Sequence, residues 1–72
     1  MKKQKKIIPP DLLEKAEIAM IEEESVYCMD MEGKQRVEAQ IIQIDHDNPE
    51  YTFLLRFSKH AMKWVGFDQI TF

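Results

Sequence analysis

A single cysteine, Cys28, leaves this chain no internal disulfide. A lone thiol fits a reducing compartment, and a cytoplasmic protein is expected. Two glycines, Gly33 and Gly66, are too few for a loop that wraps a phosphate in backbone amides. No apolar stretch approaches the ~20 residues a membrane helix needs, so no membrane role is expected. The start, MKKQKK, is basic like the front of a secretory signal. Only Ile7 and Ile8 follow before Pro9-Pro10, so no apolar signal core is expected. Serine-based catalytic motifs and paired cysteines are also missing. The expectation is a protein that is not an enzyme and uses no cofactor and no metal.

What is present is a short, charged chain. Its 72 residues allow one domain with a small core, and a core that small is marginal alone. Association into a homo-oligomer is one remedy. The net charge is −3, which argues against a general nucleic-acid binder. The charge is uneven. The four lysines between Lys2 and Lys6 lead into Pro9-Pro10, and residues 1–10 are expected to form a flexible basic arm. From Tyr51 onward, Arg56, Lys59 and Lys63 outnumber the one acid, Asp68.

The domain proper is expected over residues 11–72. Asp11 reads as a helix N-cap, with Glu14 completing a capping box. Leu12, Leu13, Ala16, Ala19 and Met20 recur at helical spacing and form an apolar face. Ile18 and Ile21 widen that face. Two readings follow: a helix half wrapped by the rest of the domain, or a subunit interface formed by Leu12, Leu13, Ile18, Met20 and Ile21. Glu22-Glu23-Glu24 places the helix end near Glu23, because acids disfavour a helix C-terminus.

Strands follow. Ser25 to Met31 reads as the first, with a turn at Glu32-Gly33. The second, Gln35 to Asp45, starts as a plain alternation in which Val37, Ala39 and Ile41 share a face. Then Ile42 and Ile44 break the phase. A flat strand cannot point Ile41, Ile42 and Ile44 into one core, so a bulge or bend is expected at Ile41-Ile42. Asp45 to Pro49 is a loop by composition. Tyr51 to Phe57 reads as the third strand, with Tyr51, Phe53, Leu55 and Phe57 on a core face. Ala61 to Val65 is the fourth, Gly66 to Gln69 a tight turn, and Ile70 to Phe72 a short last strand that would close the edge.

This order defines the expected fold class: α+β, mainly β, an N-terminal helix followed by a four- or five-stranded antiparallel Sm-like small barrel. From Leu12 to Phe72 the chain also resembles the bacterial YolD-like family. The matching words are EIAMIEEE at the helix end, SVYCMD in the first strand, EGK at the turn, IIQID ending the second strand and GFDQI near the C-terminus. The family's I-x-x-I-D falls on Ile41, Ile44 and Asp45, and its F-D-x-I on Phe67, Asp68 and Ile70. The tryptophan-bearing segment that the family pattern places before the helix has no counterpart here. The resemblance implies a helix before an Sm-like barrel, and an association with bacterial DNA-damage genes and mobile elements. It implies no catalytic residues.

Three constellations bear on chemistry. Asp45-His46-Asp47 offers metal-ligating atoms, but neighbouring residues rarely converge on one ion, and a solvated turn is expected. Cys28 lies mid-strand, where a buried structural thiol is expected rather than a nucleophile. Arg56, Lys59, His60, Lys63 and Trp64 put three cations, an imidazole and the one tryptophan on a single hairpin. Cations suit phosphates and an exposed indole suits a base, so this is the candidate ligand-binding set. The competing reading keeps Trp64 in the core and the cations on a solvated edge. The expected function is a non-enzymatic binding or regulatory module, a protein-interaction adaptor of bacterial or phage origin. The alternative is an oligomer that sequesters a nucleotide, a cyclic nucleotide or single-stranded nucleic acid.

Overall fold

The computed structural model describes residues 7–72, so the basic arm lies outside the described residues up to residue 6. The first element is α1 (Pro10–Ile21), and Asp11 does not cap it. Pro9 stands at the N-cap, and its carbonyl accepts from Leu12 N and Leu13 N at 3.1 and 3.2 Å. Pro10 fits the first helical position because the amide it lacks would have had no helical partner. The helix therefore starts two residues earlier than the capping box implied. It ends in a Schellman motif: Glu24 N reaches Ala19 O at 2.8 Å and Glu23 N reaches Met20 O at 3.3 Å. Glu23 holds the left-handed position of that motif, with φ 59.

Five antiparallel strands follow: β1 (Ser25–Met29), β2 (Arg36–Ile44), β3 (Phe53–Ser58), β4 (Ala61–Val65) and β5 (Ile70–Thr71). Their order in the sheet is β4-β3-β2-β1-β5. The two outer strands, β4 and β5, do not pair with each other, so the sheet is open and the expected closure fails. β5 is two residues long and, among the described residues, pairs with β1 alone, through Cys28↔Ile70 and Tyr27↔Thr71.

The phase slip in β2 is a bulge. Ile41 pairs with Leu55 and Gln43 with Leu54, which leaves Ile42 as the extra residue. The bulge lets Ile41 and Ile44 face one core across a three-residue spacing. Ile42 itself stays outside at 37 % exposure, so only two of the three isoleucines reach the core.

The helix packs chiefly on β2. Ala16 and Ala19 are buried against a core that includes Val26, Cys28, Ala39, Ile41, Phe53, Leu55, Val65 and Ile70. Small side chains at Ala16, Ala19 and Ala39 let helix and sheet approach closely. Leu13 and Met20 also pack on this core, Leu12 is half-buried, and Ile18 and Ile21 are exposed.

Two strand boundaries differ from expectation. β1 stops at Met29 because Asp30 turns the chain. Its Oδ1 accepts from Glu32 N and Lys34 N at 3.1 and 2.9 Å, and Gly33 takes φ 73. β3 starts at Phe53, not Tyr51, so Tyr51 leaves the expected core face and is 56 % exposed.

Candidate binding groove

The β2–β3 loop is built by its own side chains. Asp45 Oδ1 accepts from Asp47 N at 3.0 Å. Asn48 Oδ1 accepts from Glu50 N and Tyr51 N, both at 3.2 Å. These are the turn-forming habits of Asp and Asn. Thr52 anchors the far end. It is fully buried, and its hydroxyl is shared between Asn48 O at 2.7 Å and Pro49 O at 3.1 Å. Asp45 N to Thr52 O at 2.7 Å closes the loop at its base.

The connection from β4 to β5 docks on this loop. Thr52 N donates to Val65 O at 2.8 Å, and Phe67 N donates to Pro49 O at 3.3 Å. Gly66 sits at the crossing, where a Cβ would stand 3.0 Å from Pro49 O and 3.3 Å from Glu50 O. A side chain there would crowd both carbonyls unless the backbone shifted. A short 3-10 turn, Phe67–Gln69, follows, with Gly66 N donating to Gln69 Oε1 at 2.8 Å.

The result is a groove of about 590 Å³ lined by Asp45, Asn48, Tyr51, Lys63 and Trp64. A neighbouring depression of about 440 Å³ shares Tyr51, Lys63 and Trp64 and adds Glu50, Gly66, Asp68 and Gln69. Directly opposed residues share a face of a sheet. Trp64 opposes Leu54 and lies on the outer face; Lys63 opposes Leu55 and lies on the core side of the open edge.

The basic hairpin is thereby divided. Arg56 and Lys59 line a different depression, of about 490 Å³, with Ser25, Glu38, Ala39, Gln40, Phe57 and Ser58. Arg56 donates to Gln40 Oε1 at 3.1 Å, and Gln40 donates to Glu23 O at 3.3 Å. His60 is exposed in the β3–β4 turn and lines neither hollow. Lys63 and Trp64 stay together, in the company of Tyr51, Asp45 and Asn48, which sequence reasoning did not place there. The available signal was Asn48-Pro49, a turn pair just ahead of an aromatic residue.

Cys28 is buried, and burial pushes its thiol above the ordinary value. The Lys63 ammonium pulls the other way, and Asp30 adds a further upward push. His46 turns away from Asp45 and Asp47 and meets Glu17 of α1, Nε2 to Oε2 at 2.9 Å. Among the described residues, no three His, Cys, Asp or Glu side chains converge as a metal site. No helix among them is long and apolar enough to cross a membrane. Comparisons with family models, with characterised proteins and with solved structures find no match to this chain.

Proposed function

We propose that this chain is a non-enzymatic binding module, an adaptor that holds a segment of a partner protein in the Tyr51–Trp64 groove. The observation that carries this reading is the placement of Tyr51. It is 56 % exposed, on a loop fixed by side-chain hydrogen bonds, and it shares a groove with Trp64. Trp64 itself is half-buried on β4. An exposed aromatic ring on a preorganised loop suits a binding surface, because little order is lost on contact. A catalytic reading has less support, since burial disfavours the Cys28 thiolate that a nucleophile would need.

A second reading keeps an anionic, nucleotide-type ligand at the hollow where Arg56 and Lys59 meet. Glu38 in the same hollow opposes it, and Lys63 and Trp64 are elsewhere. The adaptor reading is therefore preferred.

The wider setting belongs to the same proposal. The strand order and the 3-10 turn before the last strand support an Sm-like barrel left open. The YolD-like resemblance suggests a bacterial or phage protein linked to DNA damage, and the free Cys28 suggests a cytoplasmic one. The open edges and exposed Ile18 and Ile21 support a homo-oligomer.

The test is a nuclear magnetic resonance titration of the labelled chain with acidic, basic and apolar peptides and with mononucleotides. Shifts at Trp64 and Tyr51 with any peptide support the reading. Peptides that move neither residue at millimolar concentration end it, and shifts confined to Arg56 and Lys59 with nucleotides favour the second.

A further inference from the structure

We propose that the groove receives a basic segment of a partner protein, with an arginine guanidinium laid against Tyr51 and Trp64 and steered by Asp45 and Glu50. This rests on the binding-module reading of the same groove. It adds the chemistry of the occupant.

Charge complementarity selects that chemistry. The two adjoining hollows are walled by three acids, Asp45, Glu50 and Asp68, against one cation, Lys63. Asp68 is already engaged, so Asp45 and Glu50 carry the weight. A phosphate or a carboxylate entering here would meet an excess of carboxylates over cations. An arginine would meet their attraction and two aromatic faces, which favour a cation through their quadrupoles. The flat guanidinium stacks on a ring better than a lysine ammonium does.

Lys63 offsets one of the acids and leaves an acidic excess. It opposes Leu55, on the core side of β4, whereas Trp64 opposes Leu54 on the outer side. Its side chain is exposed and lines both hollows. The walls are also set in advance. Asn48 fixes Tyr51 through its backbone amide, and pairing with Leu54 fixes Trp64.

The experiment titrates the intact chain with an alternating Gly-Arg hexapeptide, read by Trp64 fluorescence and by calorimetry. Gly-Ser and Gly-Glu hexapeptides and a short uridine oligonucleotide are the comparisons. The Gly-Arg peptide is expected to change Trp64 emission saturably. Its affinity should fall as salt rises from about 50 to about 500 mM. Asp45→Asn with Glu50→Gln should weaken it about five- to tenfold, and so should Tyr51→Ala. Asparagine at position 45 keeps the oxygen that accepts from Asp47 N, so the loop is retained.

Three results overturn the inference while leaving a binding module in place. The Gly-Ser peptide binds as well as Gly-Arg; the Gly-Glu peptide or the oligonucleotide binds more tightly; or the double carboxamide variant binds Gly-Arg unchanged. Absence of binding by every ligand removes both readings together.

Discussion

Gly66 is the residue where the two halves of the groove touch. A methyl group there meets two backbone carbonyls, and neither can rotate away as a side chain could. Gly66→Ala should therefore cost about 1–3 kcal/mol, seen as a lower urea midpoint. A variant with an unchanged midpoint would mean the loop yields freely. Asp30 governs the β1–β2 turn in a different way. Hydrogen bonds from backbone amides, Lys34 N foremost, hold its carboxyl below the ordinary aspartate value. The unfolded chain thus takes up the proton first as pH falls. Its stabilising contribution is complete above the ordinary aspartate value, near pH ~4, and is lost as pH drops through the folded value. Urea melts between about pH 6 and 2.5 should show wild type losing stability on acidification more steeply than Asp30→Asn. Parallel pH profiles would remove Asp30 from that account.

At the scale of elements, α1 ends on a strained residue. Glu23 takes the left-handed conformation that glycine adopts freely, and it adds a third acid to Glu22 and Glu24 beside the negative end of the helix. Glu23→Gly should raise stability by about 0.5–1 kcal/mol in thermal melts, and a lower melting temperature would count against the motif. The β2 bulge makes a contrast testable. Ile41→Asp should be severe, because Ile41 is 3 % exposed, whereas Ile42→Asp, at 37 % exposure, should be mild. Equal losses would put Ile42 in the core. Much of this layer is legible in residue pattern. The turns on either side locate β4 to the residue, and the broken phase locates the bulge at Ile41-Ile42. Which way Ile42 points is not legible, because pairing with β3 decides it. Tyr51 is missed for a related reason. Its apolar alternation with Phe53 and Leu55 suggests a strand, but hydrogen bonds from Glu50 N and Tyr51 N to Asn48 Oδ1 hold the chain in a turn through that position. For the groove, Trp64 and Lys63 are legible as a local cluster. Their neighbours Asp45 and Asn48 come from another part of the chain, and only the docking of the loop brings them close.

At the scale of the molecule, the open sheet leaves backbone groups on β4 without a strand neighbour among the described residues. Such an edge is a template for another strand, and the exposed Ile18 and Ile21 add apolar surface beside a small core. Light scattering at micromolar concentration should give at least twice the chain mass. A monomer that persists at high concentration would leave the edge defended by Lys63 and the lysine-bearing turn alone. The crossing of the two chain segments at Pro49 and Thr52 has a dynamic side as well. The groove exists only while Thr52 N holds Val65 O and Phe67 N holds Pro49 O. An occupant of the groove and the closure of that crossing are therefore thermodynamically linked. Deuterium should enter the amides of Thr52 and Phe67 more slowly once the groove is filled, while the Asp30 turn at the far end of the sheet exchanges at its former rate.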